Sequence, residues 1–246
     1  MVELLFLGVG VGTLSGFFGI GGGTILVPLL LFLGHQIKDA VGISIVQMVF
    51  SSIYGSYLNN KNKTLDIPMV ITIGIGGFCG ALLSGFIAAS VDDKVLEIIF
   101  LAFASFALLR LFFKTTQNRV QKNVNKVILF LIGLVLGTLS MLIGVGGSIL
   151  LVPILVGFLH VDLKRAISAG LFFVVFSSVA GLLSHSLSRE IDFFSGAVIG
   201  LASFVGVYIG VHLKDRIDAV VQKKLLVLFY LLVVLYLAQR IFFRGN

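Results

Sequence analysis

Gly21, Gly22, Gly23 and Thr24 form a cluster of small residues inside an uncharged apolar run, and Gly146, Gly147 and Ser148 form a second cluster at the matching place further on. Such residues bring no catalytic side chain; what they offer is main chain. Each glycine costs about 1 kcal/mol of helix stability and permits positive φ, so each cluster is expected to interrupt a helix. A new half-helix should then start near Thr24 or Ser148, and its free N–H groups and positive dipole end make a site for an anion. Ser44, Gln47 and Ser51 in the next apolar segment, with Ser177 in its counterpart, could donate hydrogen bonds to the oxygens of that anion. The alternative for the serines is hydrogen bonding between helices, worth about 0.6 kcal/mol per pair. Gln47 is the stronger candidate, because its counterpart is Phe173 and a long amide in apolar surroundings needs a partner.

The two clusters belong to one duplicated segment. Gly12 to Pro28 returns as Gly137 to Pro153 with ten of seventeen positions identical, 125 residues on. The offset then becomes 126: Ser51 and Ser52 match Ser177 and Ser178, Gly55 matches Gly181, Asp66 matches Asp192, and Gly80 matches Gly206. A coherent register in Gly, Ser, Pro and Asp points to duplication of whole halves, with a first repeat over 1–113, a basic loop over 114–126 and a second repeat over 127–246. Isolated glycines such as Gly76, Gly77 and Gly80 read differently, as small residues that let helices approach closely.

The elements that must hold these clusters are membrane helices. Hydrophobic residues make up 58% of 246 positions and charged ones 12%, against about 25% charged in a soluble domain. Uncharged runs such as Leu4 to Ile37, Ala40 to Asn60 and Val127 to Val161 are long enough for a core of about 30 Å, which takes about 20 helical residues. Eight apolar segments result, four per half, and their continuity disfavours a barrel, whose strands would alternate. The fold class expected is an all-α polytopic membrane protein in the plasma membrane of a prokaryote.

Leu4 to Gly34 as one helix would be about 45 Å long, so it must break or fold back at the glycines. If the first segment of each half folds back, thirteen of the eighteen basic residues gather on one face, Lys61, Lys63, Lys164, Arg165, Lys214 and Arg216 among them, against five on the other. If every segment crosses, the split is ten to eight. Because cytoplasmic loops are enriched in Lys and Arg, the fold-back is favoured. Three crossings per half then make the repeats inverted, with both termini outside. Unwound main chain at membrane depth persists only beside protein or water, so each break is expected to line a cavity.

Several functions are excluded or disfavoured. The charge of +7 sits between apolar segments and suits lipid headgroups better than nucleic acid. The glycine clusters lack a P-loop lysine and join no strand to a helix, so they do not read as nucleotide sites. Lone Cys79 rules out a disulfide framework or thiolate metal cluster and reads as small buried packing. The N-terminus has no basic region before its apolar run and is expected to be retained. No charge lies deep in any segment, which disfavours a carboxylate proton relay, and His35, His160, His185 and His212, like Asn59, read as interfacial. No enzyme activity, cofactor or metal is expected. The partners expected are the bilayer and a small anionic substrate, with homo-oligomerisation left open.

The run Ser15 to Leu30, its echo from Gly137 to Pro153, and Ala40-Val-Gly-Ile-Ser44 resemble the TauE/SafE family of sulfite-exporter-like permeases over nearly the whole chain. The resemblance implies a duplicated helical membrane fold and carriage, outward, of sulfite, sulfoacetate or a related organosulfonate. Two positions break the internal symmetry of the motif: Ser148 stands where the first half has Gly23, and Gly170 where it has Ser44. A non-transporting membrane assembly or receptor subunit, and a passive anion channel, are the competing readings.

Overall fold

Each glycine cluster ends one helix and begins another. A computed structural model of the chain describes residues 2–63, 67–112, 125–188 and 191–243, and within them the expected eight segments become ten helices with no strand. The first half contains α1 (Val2–Phe18), α2 (Gly23–Phe32), α3 (Ile37–Lys61), α4 (Ile67–Ser90) and α5 (Asp93–Phe112). The second contains α6 (Lys126–Leu142), α7 (Ser148–Gly157), α8 (Leu163–Ser188), α9 (Phe193–Arg216) and α10 (Ala219–Phe243). Helices α3, α4, α8, α9 and α10 are long and apolar enough to cross a membrane, whereas α1, α2, α6 and α7 are shorter apolar pieces. The loop expected over 114–126 lies, up to residue 124, outside the described residues.

Helix directions follow from which residues touch. Along α1, Gly8 faces Ile199, Gly12 faces Ser203 and Gly16 faces Val207 of α9, so the two run parallel. Helix α3 also runs parallel to α9, with Val46 against Gly196, Phe50 against Gly200, and the Tyr54 and Phe204 rings 5.1 Å apart. The second half repeats the pattern: Phe130 of α6 lies against Gly76 of α4 and Leu134 against Gly80, while Phe176 and Ser184 of α8 meet Gly74 and Gly85 of α4. Helices α3 and α8 are antiparallel, since Gly55 meets Leu171 while Met48 and Val174 both reach Gly21. Helices α1 and α3 therefore start at the same face, and α2 must return the chain between them. Helix α7 does the same between α6 and α8, in the opposite sense.

The first segment of each half thus folds back, and equivalent helices of the two halves run in opposite directions. Each fold-back is clamped by the other half: α1 lies on α9, and α6 lies on α4. Glycines make these clamps possible. A Cβ on Gly12 would come within 2.4 Å of Ser203 O, and one on Gly80 within 2.0 Å of Leu134 O, so the backbones are in direct contact as small-residue packing in membranes allows. By contrast, α1 and α2 splay apart and leave an apolar groove of about 470 Å³ lined by Phe6, Gly10, Leu14, Ile25 and Leu29.

One reading of the sequence is corrected here, that of Cys79, and three polar side chains near helix ends are more deeply buried than their sequence position suggests. Cys79 is exposed on α4, facing outward from the bundle. Asn59 and His185 are fully buried, because parallel packing draws the ends of α3 and α8 under neighbouring helices; His185 Nε2 lies 3.1 Å from Met141 O. Lys214, counted above among the loop cations, is also fully buried in the last turn of α9.

Candidate functional site

Positive φ marks both breaks. Gly19 and Gly21 in the first, and Gly144, Gly146 and Gly147 in the second, have φ between +65° and +80°, a region closed to most side chains. The cap residues differ: Gly22 before α2 is right-handed (φ −63°), whereas Gly147 before α7 is left-handed (φ +80°). Pro28 in α2 and Pro153 in α7 lie in the second turn of their short helices.

The two breaks cross at the centre of the molecule. A Cβ on Gly21 would lie 3.3 Å from Val174 and 3.5 Å from the Met48 sulfur, and one on Gly146 would lie 2.8 Å from the same sulfur and 3.1 Å from Val174. Met48 and Val174 are equivalent positions of the two halves. Ile20 and Val145, at the tips, are fully buried, as are Thr24, Ser44, Gln47, Ser51, Ser148 and Ser177. Among the described residues the breaks pack on each other and on α3 and α8.

Part of the unwound main chain is satisfied. Ser44 Oγ donates across the halves to Gly144 O at 2.8 Å, and Ser177 Oγ donates to Gly146 O at 3.1 Å. Thr24 Oγ1 donates to Ile20 O at 3.1 Å. The carbonyls of Gly22 and Gly147 accept the first helical bonds of α2 and α7, from Leu26 and Leu151. The amides are another matter. None of the described hydrogen bonds is donated by the N–H groups of Gly21, Gly22, Gly23 and Thr24, or by those of Gly146, Gly147, Ser148 and Ile149. The first turn of any helix leaves such N–H groups without an intrahelical partner, and here both sets lie in buried surroundings.

Side chains repeat that signal. Both amide atoms of Gln47, and the Ser148 hydroxyl, are buried without a hydrogen-bond partner. Gln47 lies directly on the first break, where a Cβ on Gly22 would come within 1.9 Å of Oε1. At the equivalent place, a Cβ on Gly147 would come within 2.4 Å of the Phe173 ring. Of the residues singled out from the sequence, the glycines, Thr24, Ser44, Gln47, Ser148 and Ser177 are brought together. Ser51 is not: its hydroxyl turns to its own helix, 3.4 Å from Met48 O. Ser15 was not singled out; its buried hydroxyl, in the last turn before the first break, has no partner either.

Two inverted half-bundles crossing at unwound, glycine-lined chain define a multi-pass α-helical membrane protein of the transporter kind. The comparison with known proteins agrees, matching the family described as Sulfite exporter TauE/SafE over residues 4–237. The chain belongs to that family. It is similar to the probable membrane transporter protein MJ0441 of Methanocaldococcus jannaschii, with 30% identity over 74% of this chain and 71% of that one. Two Bacillus subtilis proteins, each named a probable membrane transporter, are similar over greater lengths: YunE at 24% identity (99% and 98% of the two chains) and YjnA at 27% (87% and 91%). No solved structure matches the chain.

Proposed function

We propose that the protein exports a small sulfur-containing anion, such as sulfite, sulfoacetate or another organosulfonate, bound where the two breaks cross. The observation that carries this reading is the set of buried, unpartnered amides at the starts of α2 and α7, joined by the unpartnered Gln47 amide and Ser148 hydroxyl. The main-chain N–H groups, Gln47 Nε2 and the Ser148 hydroxyl are donors in apolar surroundings, and the helix dipoles give both starts positive potential, so the complementary guest is a compact anion rich in acceptor oxygens. Membership of the sulfite exporter family supports a sulfur oxyanion head. The site residues are Gly21, Gly22, Gly23, Thr24, Gln47, Gly146, Gly147 and Ser148, with Ser44, Ser51 and Ser177 supporting the chain around them.

The closed packing is read as an occluded conformation, from which alternating access opens the crossing of the breaks to one face and then the other. The face with Lys61, Lys63, Lys126, Lys164, Arg165, Arg216, Lys223 and Lys224 is read as the cytoplasmic one, and both ends of the chain are then external. An inside-negative potential then drives each anionic charge outward by about 2.3 kcal/mol per 100 mV.

Purified protein in sealed liposomes tests the reading. Saturable flux of sulfite or sulfoacetate, with counterflow, is expected. Flux without saturation or counterflow would instead identify a channel, and inert vesicles together with a stable protein partner would identify a membrane assembly.

A further inference from the structure

Lys214 is the buried charge that the site above does not use. Its ammonium is fully shielded in the last turn of α9, donating to Asn59 Oδ1 at the end of α3 and to Ser168 Oγ at the start of α8, 3.0 Å away. The Asp215 carboxylate stands off at 3.7 Å, is one-third exposed, and accepts from Asn62 Nδ2 at 2.8 Å, while Lys164 Nζ donates to the Asp215 main-chain oxygen at 3.1 Å. The nearest acceptors of this buried cation are therefore neutral. Burying a cation is costly unless it is paired, and buried charges recur along ion and substrate routes.

The position of Lys214 supports such a route. Ser168 sits on the turn of α8 that covers the breaks: a Cβ on Gly19 would strike Ile167 O at 2.3 Å, and one on Gly170 would lie 2.7 Å from Gly19 O and 3.1 Å from Ser148 Cβ. One turn of α8 thus carries both Ser168, which accepts from Lys214, and Gly170, beside the start of α7 and Ser148. The arrangement is one-sided. At the equivalent end of the molecule the positions of Lys214, Asn59 and Ser168 are taken by Ala88, His185 and Gly42. The buried cation lies on the basic face alone.

We infer that Lys214 captures the anion entering from the basic face, its ammonium taking the anionic head in place of Asn59 and Ser168 before delivery to the amides around Ser148. This inference rests on the transport reading above. The test is sided uptake of sulfoacetate and sulfite by wild type, K214Q and K214R in vesicles of known orientation, after each variant has been shown to purify and melt as wild type does. The expected result for K214Q is a KM raised about ten-fold or more from the basic face, as loss of a charge-assisted hydrogen bond produces, with KM from the opposite face unchanged and K214R near wild type. Wild-type flux with K214Q unchanged, with KM raised equally from both faces, or with K214R no better than K214Q overturns the role of Lys214 and leaves the break site standing. Wild-type vesicles that carry neither anion overturn both.

Discussion

The two breaks are built from the same backbone and finished with different side chains. In the first, Gly22 caps α2 in right-handed conformation with the Gln47 amide laid on it; in the second, Gly147 caps α7 at φ +80° with the Phe173 ring laid on it. Ser44 crosses to hold the second break through Gly144 O, whereas the equivalent Gly170 offers nothing to Gly19 O. Ser177 reaches Gly146 O, whereas the equivalent Ser51 turns away. Duplication has therefore kept the unwinding, which needs only glycine, and released the lining to specialise. The first break is faced by an amide side chain; the second has three glycines at positive φ, an aromatic ring against it and two serine braces.

Breaking the braced side should cost most. Gly147→Val puts a β-branched residue at positive φ, against roughly 1–2 kcal/mol of backbone strain plus collision with the Phe173 ring, and flux in liposomes should fall below detection. Next come changes on the polar side. If the anion binds as proposed, Gln47→Leu should raise KM about ten-fold with little change in kcat, since it removes a buried donor at the first break. Gly22→Ala should give the same KM effect at near-normal stability, because its backbone is right-handed and only the flexible end of Gln47 must move. If Gly22→Ala and Gly147→Ala prove equally damaging, the distinction drawn between the breaks is wrong. A smaller effect is expected from Ser177→Ala, which leaves Gly146 O unpaired and should cost about 1 kcal/mol in a reversible unfolding assay. Gly10→Ala, with nothing within 4 Å of its added carbon, should change neither flux nor melting temperature.

Much of this was legible in the sequence. Helix breaks at Gly21 and Gly146 follow from three consecutive small residues, because helix propensity is local. The fold-back was legible through the distribution of Lys and Arg, and Gln47 through its mismatch with Phe173. What was hidden depends on partners. Glycines spaced four apart, Gly8, Gly12 and Gly16 in one helix and Gly206 and Gly210 in another, announce close packing but do not say that each fold-back is clamped by the opposite half. Lys214 was hidden by its place in a last helical turn, where cations normally sit exposed and complement the dipole. Comparing the repeats would have found it, since Lys214 faces Ala88 across the duplication. The closed centre could not be read from the sequence, because glycine breaks serve open and occluded conformations alike.

The central claim is that main-chain amides of the two breaks hold the anion, and glycine-labelled protein in detergent micelles tests it directly. On titration with sulfite or sulfoacetate, the amide resonances of Gly21, Gly22, Gly23, Gly146 and Gly147 should move saturably while those of Gly76 and Gly80, locked between α4 and α6, stay put. Break amides that remain still under concentrations at which the same protein carries the anion would contradict it.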